Sequence, residues 1–453
     1  MKHDHDIRAA LRREIGDWRL WWARAVVIAM AALAGLTVVG FTWLTERALG
    51  IFSGLRGMWP WMPLLWTPAW TVAIVWLTRR YAAGASGSGI PQVMAALDSS
   101  VDAGRRGLFV SIRLSIAKIW LTACGLLAGL SLGREGPSVQ VAAGVMLGAR
   151  RWLPNRSKVT DHGLLVAGGA AGIAAAFNTP LAGVMFAIEE LSRAPEERNS
   201  GLIVAAIVLA GLIAVSIYGN STYFGVIRVP EVGLELIVPG LLVALGSGLA
   251  GGLFSRLLTI SIGGLGSDPL SRLRGRRPLV FAAVCGLAVA IIGVVTQGAT
   301  FGSGYSHTRN MLEGTENTLA VYVLFKFLAT WLTSWSGVPA GIFAPSLAIG
   351  AALGNDIALL TNYPHAPTLI ALGMAGFLAA ATQAPLTSFI IVMEMIDGHG
   401  MVLSLMACAL AGSAISRVLS HPLYGSLAAL QLSRMHQLPA VPPSRRHCAA
   451  SPS

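Results

Sequence analysis

The chain has 453 residues, of which 54% are hydrophobic and only 12% charged. A soluble globular protein carries about 25% charged residues, so this chain has too few to cover a water-facing surface, and its hydrophobicity excludes disorder. Its net charge of +12 comes from basic residues in short hydrophilic gaps, as in membrane loops, without the stacking aromatics of a nucleic-acid groove. The composition therefore predicts a polytopic protein of the lipid bilayer that binds no nucleic acid.

Nine uncharged apolar runs are long enough to cross a bilayer, which takes about 20 residues as a helix. In chain order they are residues 25–45, 57–78, 163–188, 202–222, 236–255, 279–308, 327–355, 366–393 and 398–416. Several exceed the required length, which predicts helices that fold back within the membrane. Strands of membrane barrels alternate polar and apolar residues, and these runs do not, so we expect an all-α membrane fold.

The hydrophilic ends and loops predict the topology. Residues 1–19 are too polar for a cleavable signal peptide and predict an N-terminal cytoplasmic segment. The basic loops at 79–80 and 272–277 indicate the same side, although the loop at 150–158 is also basic. Residues 431–453 predict a mobile C-terminal tail. The four cysteines form no CxxC or Cys/His cluster, so we expect no disulfide, metal or other cofactor.

Two segments 205 residues apart resemble each other. Residues 168–189 read GGAAGIAAAFNTPLAGVMFAIE and residues 373–394 read GMAGFLAAATQAPLTSFIIVME, with Pro-Leu and a final Glu aligned. This pattern predicts two membrane repeats, residues 20–225 and 226–430, with inverted topology and discontinuous, re-entrant helices. Secondary transporters commonly place their site at the interface of such repeats.

Three glycine-rich segments interrupt the apolar background: GSGIP at 87–91, GREGP at 133–137 and GIFAP at 341–345. Each ends in proline, which favours the first turn of a helix. Helix N-termini at membrane depth expose free N–H groups and bind anions, weakly enough for release when no full positive charge takes part. One such segment alone is more simply a helix kink, but three favour an anion site.

Ionisable residues in apolar surroundings are costly and usually functional. Glu135 lies in the GREGP turn, where its carboxylate could occupy the place of the anion until a proton arrives. It therefore predicts a gate that couples anions to protons, against a static capping role, and we expect Arg134 to point away and pair elsewhere. Glu189, Glu190 and Glu394 end helices, where an interfacial position explains them equally well.

Three further polar residues have two interpretations each. Lys118 and Lys326 precede short apolar runs, where they could shape the potential along an anion path or snorkel to the interface. The Tyr424 hydroxyl is a weak donor that could bind an anion without trapping it. Taken alone, Tyr424 is more simply a residue of an interfacial aromatic belt.

Taken together, these motifs resemble the CLC family of chloride channels and chloride/proton exchangers. GSGIP, GREGP and GIFAP occur in the order of its signature segments, Tyr424 falls where its pore tyrosine is expected, and residues 175–190 resemble the helix that leads to its inner glutamate. The resemblance covers about residues 20–430. It implies a bacterial-type homodimer in the cell inner (plasma) membrane, with one pathway per subunit and no C-terminal regulatory domains.

The resemblance also implies roles for individual residues. A central anion would be contacted by the Ser88 and Tyr424 hydroxyls and by the Ile342 and Phe343 amides. By the same resemblance, Glu135 is the outer gate and proton acceptor, and Glu190 is the inner proton-transfer residue.

Passive channels of the family usually lack an acid at the position of Glu190, so we expect a secondary active transporter that exchanges chloride for protons. The alternative is a passive voltage- or pH-gated chloride channel of the same fold. Ser88 favours chloride, because nitrate-preferring relatives tend to carry proline there. Gln92 and Met94 replace acids of some exchangers, which bears on the inner proton route and on the pairing of Arg134. An intramembrane enzyme would need a motif such as HExxH or GxGD, and the sequence contains none, so we predict no enzyme.

Overall fold

The computed structural model describes residues 18–154, 157–192, 200–219, 223–224, 233–264, 268–315 and 321–436. Its first helices are α1 (Trp18–Met58), α2 (Pro63–Tyr81), α3 (Ile90–Leu97), α4 (Ala103–Arg106), α5 (Ile112–Leu127), α6 (Glu135–Gly148), α7 (Asp161–Phe177), α8 (Pro180–Phe186) and α9 (Ser200–Tyr218). They are followed by α10 (Ile237–Gly263), α11 (Pro269–Arg276), α12 (Pro278–Val295), α13 (Tyr305–Leu312), α14 (Tyr322–Ser336), α15 (Phe343–Thr361), α16 (Ala366–Thr382), α17 (Pro385–Ile396), α18 (Val402–Leu419) and α19 (Leu423–His436). The predicted all-α class is confirmed over these ranges.

The chain is a multi-pass membrane protein. Within the described ranges, the helices long and apolar enough to cross a bilayer are Trp18–Met58, Gly201–Tyr218, Leu234–Gly263, Pro278–Val295, Phe343–Thr361 and His399–Leu419. Many outward-facing side chains are large and apolar, including Leu65, Val238 and Val418. Apolar surface of this extent fits lipid rather than water.

Two of the over-long predicted runs are divided within the membrane region. The run at 163–188 divides at Asn178 and the run at 366–393 divides at Gln383, and both residues have left-handed backbone, with φ of 59° and 63°. Asparagine and glutamine tolerate this conformation at a helix end less readily than glycine, and a proline begins the next helix in each case. Each run therefore forms two short helices, α7 with α8 and α16 with α17.

The two halves of the chain repeat the same helix order. Helices α7 and α16 both have 17 residues, and α3 and α13 both have eight. Helix α6 packs along α7 as α15 packs along α16, and α1 contacts α9 as α10 contacts α18. The series α1–α9 and α10–α18 therefore form two structural repeats. The domain boundaries at 20–225 and 226–430 stay a prediction.

The centre of each repeat is packed closely because its helices carry small residues. A Cβ on Gly172 of α7 would lie 2.6 Å from the Ser138 carbonyl oxygen of α6. In the second repeat, a Cβ on Gly350 of α15 or Gly373 of α16 would overlap the carbonyl of the other glycine. Small residues let helix backbones approach in membranes, and this contact fixes α6 and α15, whose N-termini form the candidate site.

The ends of the chain bear on the predicted topology. The Trp22 indole donates to the Trp152 carbonyl at 3.0 Å, so Trp152, near the start of the third basic loop, lies beside the start of α1. Residues 1–17 of the predicted cytoplasmic segment lie outside the described residues. Helix α19 runs to His436, so residues 431–436 of the predicted tail are helical, and residues 437–453 lie outside the described residues.

Candidate anion and proton site

The three glycine-rich segments meet through their backbones. Gly133 and Gly341 exchange two hydrogen bonds, from the Gly133 amide to the Gly341 carbonyl at 2.8 Å and in the reverse direction at 3.0 Å. The Ala340 amide donates to the Gly87 carbonyl at 3.1 Å. These bonds bring the N-terminal ends of α3, α6 and α15 to one place, as the motif interpretation expected.

Glycine is needed at this junction because the backbones approach so closely. A Cβ on Gly136 would overlap the Ser88 hydroxyl, and a Cβ on Gly89 would lie 2.6 Å from the Gly136 carbonyl oxygen. A Cβ on Gly341 would lie 2.7 Å from the Gly133 carbonyl oxygen. The glycines of the three motifs therefore serve the contact between segments.

The Ser88 and Tyr424 side chains lie together in the interior. Ser88 is 9% exposed and Tyr424 only 1%, and their hydroxyls are close to one another. Neither hydroxyl has a hydrogen-bond partner of good geometry among the described residues. Buried polar groups normally have partners, so this pair can serve a ligand as donors.

The start of α15 faces the same region. Ile342 is the N-cap residue and Phe343 the first helical residue, where backbone amides have no intrahelical acceptor. The Phe343 ring stacks on the Tyr424 ring, with centroids 6.1 Å apart and planes at 10°. The Phe186 ring meets the Phe343 ring edge-on, with centroids 6.4 Å apart. This aromatic packing fixes the Tyr424 hydroxyl relative to the α15 amides.

Glu135 begins α6 and is only 1% exposed. A Cβ on Gly133 would overlap its carboxylate, which also lies near the Ala344 amide at the start of α15. Neither carboxylate oxygen has a hydrogen-bond partner of good geometry among the described residues. A negative group is favoured beside helix N-termini, so Glu135 occupies a place that an anion could take.

Arg134 points away from Glu135, as predicted. Its guanidinium donates to the Glu46 carboxylate of α1 at 2.9 Å and lies 3.5 Å from the Tyr223 hydroxyl. The positive charge next in sequence to Glu135 is thus neutralised by another acid.

A cavity of about 1480 Å³ opens on one side of Glu135. Its lining includes the Glu46–Arg134 pair together with Arg56 and Arg309. We call this cavity the outer vestibule, and through it ions and water can approach Glu135.

Glu190 lies at the other end of the site. It belongs to a π-helical turn, Ala187–Leu191, that continues α8, and it is half-buried. The Tyr424 hydroxyl is within electrostatic range of both the Glu190 and the Glu135 carboxylates. Tyr424 therefore connects the two predicted acids electrostatically.

Glu189 and Glu394 have a different arrangement. The Glu189 carboxylate accepts from the Leu386 and Thr387 amides of α17, at 3.0 and 2.7 Å. The Glu394 carboxylate accepts from the Leu181 and Ala182 amides of α8, at 3.2 and 2.7 Å. Each acid at the end of one helix thus caps the start of its counterpart, so α8 and α17 run antiparallel, as inverted repeats require.

Lys118 and Lys326 are fully buried and do not snorkel. The Lys118 ammonium donates to the Ala85 and Gly87 carbonyls at 2.8 and 2.6 Å. The Lys326 ammonium donates to two carbonyls of the second repeat, Thr300 at 3.0 Å and Gly302 at 2.8 Å.

The Lys326 contacts identify a segment that sequence reasoning missed. Gly302, Ser303 and Gly304 precede α13 as Gly87, Ser88 and Gly89 precede α3, and all four glycines have positive φ, from 66° to 108°. The tripeptide alone would not have identified this turn, because Gly-Ser-Gly also occurs at 246–248 within α10. This second turn lines the outer vestibule.

Gln92 fastens the Ser88 turn. Its side-chain oxygen accepts from the Gly89 amide at 2.9 Å, and its side-chain nitrogen donates to the Ser86 carbonyl. Met94 packs against the apolar core. The pairing of Arg134, which the absence of acids at Gln92 and Met94 left open, is with Glu46.

Gln140 was also missed. Its side-chain nitrogen donates to the Gly84 carbonyl at 2.9 Å and the Phe109 carbonyl at 2.7 Å. These bonds tie α6 to the loop that leads to Ser88. The signal was a lone amide side chain within an apolar helix, where a polar group needs partners.

Comparison with known proteins gives consistent relatives. The family model described as "Voltage gated chloride channel" matches residues 69–417. An H(+)/Cl(-) exchange transporter ClcA of Klebsiella pneumoniae subsp. pneumoniae is 29% identical over 457 residues, covering 94% of this chain and 92% of the relative. The ClcA of Klebsiella pneumoniae strain 342 is 30% identical over 441 residues, covering 90% and 89%.

Solved structures share the fold. A slow cyanobacterial Cl−/H+ antiporter superposes with a TM-score of 0.79 at 24% identity, over 92% of this chain and 99% of that one. A CLC-type fluoride/proton antiporter gives a TM-score of 0.73 at 22% identity, over 89% and 97%.

Proposed function

The chain belongs to the voltage-gated chloride channel family, and on that basis we propose that it exchanges chloride for protons as a secondary active transporter. The observation that carries the proposal is the position of Glu135. Its buried carboxylate lies where the N-termini of α6 and α15 converge, without a hydrogen-bond partner of good geometry among the described residues. Relatives of similar length are named H(+)/Cl(-) exchange transporters.

The proposed chloride site uses the Ser88 and Tyr424 hydroxyls and the Ile342 and Phe343 amides. Such a site has partial positive charges from N–H and O–H groups and from the dipole of α15. Binding without a full positive charge is weak enough for rapid release, which transport requires. The Ser88 hydroxyl supports chloride as the substrate anion.

In the proposed mechanism, the ionised Glu135 side chain and the anion compete for the same amide-rich place. A proton that arrives from the outer vestibule neutralises the carboxyl, which then leaves and admits chloride. When chloride moves on, the carboxylate can return only by giving up its proton, which passes toward Glu190 rather than back to the outer vestibule. Chloride and proton movements are coupled because one side chain takes part in both.

Glu190 is the proposed inner proton-transfer residue. It is half-buried at the end of α8, and its charge reaches the Tyr424 hydroxyl, as does that of Glu135. A proton that enters at Glu190 would thus pass near the anion site on its way to Glu135. A passive channel of the same fold would need no acid at this position, so Glu190 favours exchange.

We further propose a homodimer in the cell inner membrane with one pathway per subunit. All proposed site residues come from a single chain, which supports separate pathways. Apolar side chains are exposed on α8, α17 and α18, among them Leu181, Leu386 and Leu403. They provide surface that lipid or a second subunit can cover.

The test uses purified protein in liposomes with a chloride gradient, no initial pH gradient, and the voltage held near zero by potassium and valinomycin. Exchange predicts that outward chloride movement drives protons inward, and that Glu190→Gln stops the protons while chloride continues. Chloride efflux without proton movement would identify a passive channel instead.

A further inference from the structure

Glu189 and Glu190, in the turn that continues α8, face different parts of the molecule. Glu189 reaches α17, where both of its oxygens accept backbone amides, while the charge of Glu190 acts on Tyr424. From the residues alone the two acids were equivalent, and only the family resemblance assigned proton transfer to Glu190.

The turn that holds both acids is a π-helix rather than an α-helix. The Ser192 amide donates to the Ala187 carbonyl at 2.7 Å, a bond across five residues that defines the π turn. Such turns occur mostly as single turns within α-helices, frequently at functional sites. A π turn changes the direction of every side chain in it, so the position of Glu190 depends on how this turn is held.

We propose that Glu189 is a positioning residue for Glu190: by capping α17 it fixes the π-helical turn and directs Glu190 toward the pathway. The inference rests on the proposed role of Glu190 in proton transfer. Glu189 is not itself a proton-transfer residue in this account, because both of its carboxylate oxygens accept hydrogen bonds from the Leu386 and Thr387 amides.

The cap is strong enough for this task. Hydrogen bonds from backbone amides to a carboxylate are charge-assisted and roughly twice as strong as neutral ones. The Leu386 and Thr387 amides belong to the first turn of α17, where no intrahelical acceptor exists. Glu189 thus ties the flexible end of α8 to a helix buried along most of its length.

The second repeat supplies a matched control. Glu394 caps α8 with the same geometry, but the residue that follows it is the buried Met395, and its helix is regular to Ile396. Loss of either cap should weaken the contact between α8 and α17 similarly. Only loss of the Glu189 cap should alter the position of a proton carrier.

The experiment compares wild type, Glu189→Gln and Glu394→Gln in liposomes, measuring chloride flux, proton flux and thermal unfolding in detergent. A glutamine side chain has a single acceptor oxygen, and its NH2 group would face the second amide as a donor. We expect Glu189→Gln to lower proton flux about tenfold with chloride flux within about twofold of wild type, a change in the proton-to-chloride ratio that 1.4 kcal/mol would produce. Glu394→Gln should reduce thermal stability to a similar degree and leave the ratio unchanged.

A second variant, Glu189→Asp, retains two acceptor oxygens and should restore the ratio at least in part. An unchanged ratio in Glu189→Gln overturns the inference, and so does an equal change in Glu394→Gln. Complete loss of proton flux in both Glu189 variants would make Glu189 a carrier, which also overturns it. If wild type itself moves no protons, the proposed exchange fails and the positioning role fails with it.

Discussion

Lys118 and Lys326 perform the same task in the two halves of the chain. Each buried ammonium donates two hydrogen bonds to carbonyls beside a Gly-Ser-Gly turn, at Gly87 in the first repeat and Gly302 in the second. The equivalence agrees with the structural repeat of the two halves. The turn held by Lys118 contains Ser88 of the candidate anion site, so comparing variants of the two lysines separates effects on stability from effects on anion binding.

Methionine at either lysine should destabilise the protein, because a buried carbonyl left without any donor costs about 1–3 kcal/mol. Lys118→Met should also weaken chloride binding, since the Gly87 carbonyl, then held by the Ala340 amide alone, adjoins Ser88. Lys326→Met should lower the thermal unfolding midpoint in detergent without changing chloride affinity. Equal chloride affinities in the two variants would show that the first turn has no part in the site.

Ser88 and Ser303 allow a similar comparison. Removing a hydrogen bond to a charged group costs about 1.5–3 kcal/mol, so Ser88→Ala should weaken chloride binding about tenfold or more. Ser303→Ala removes the equivalent hydroxyl of the second turn and should leave affinity unchanged. Calorimetric titration with chloride measures the affinity of both variants. A larger loss of affinity in Ser303→Ala would show that the anion binds at the second turn and not at Ser88.

Gln92→Met should weaken chloride binding and also lower the thermal unfolding midpoint, because the Gly89 amide and the Ser86 carbonyl each lose a partner. Methionine fills a similar volume but offers neither the acceptor for the Gly89 amide nor the donor for the Ser86 carbonyl. The Ser88 turn then loses the two hydrogen bonds that hold it, and the Ser88 hydroxyl is less well oriented toward the anion. Chloride titration of Gln92→Met and of wild type measures the effect, and an unchanged affinity would show that Gln92 does not orient Ser88.

Glu135→Gln should keep chloride moving and abolish coupled proton transport. The neutral amide resembles the protonated carboxyl, which cannot compete as an anion for the amide-rich place. Chloride flux through the variant should therefore lose any pH dependence that arises from protonation of the Glu135 carboxylate. Proton flux and chloride flux are recorded together, and coupled proton transport that survives would remove Glu135 from the gate.

Much of the fold could be predicted from sequence because the membrane restricts the choices. Continuous apolar runs left only helices, and the aligned Pro-Leu and Glu residues revealed the repeat. The breaks at Asn178 and Gln383 were foreseen only as over-long runs, since neither residue is a strong helix terminator. A proline two residues after each break, Pro180 or Pro385, begins the next helix.

Contacts between distant segments were beyond sequence reasoning. Nothing near Glu189 in the chain indicates that it caps a helix 197 residues away. The pairing of Arg134 with Glu46 crosses 88 residues, and the burial of Lys118 depends on carbonyls from a turn that precedes it. Such polar partners are fixed only when helices assemble. The glycine-rich motifs that begin helices are local in sequence, so their helix N-termini could be predicted.

The central claim is that one pathway moves chloride and protons in exchange. The most direct measurement fixes a pH gradient across liposomes and finds the chloride gradient at which net chloride flux is zero, with the voltage clamped by potassium and valinomycin. Exchange predicts that this balance point shifts when the pH gradient is changed and that Glu135→Gln abolishes the shift. A balance point that follows chloride and voltage alone, whatever the pH gradient, would contradict the account and identify a passive chloride channel.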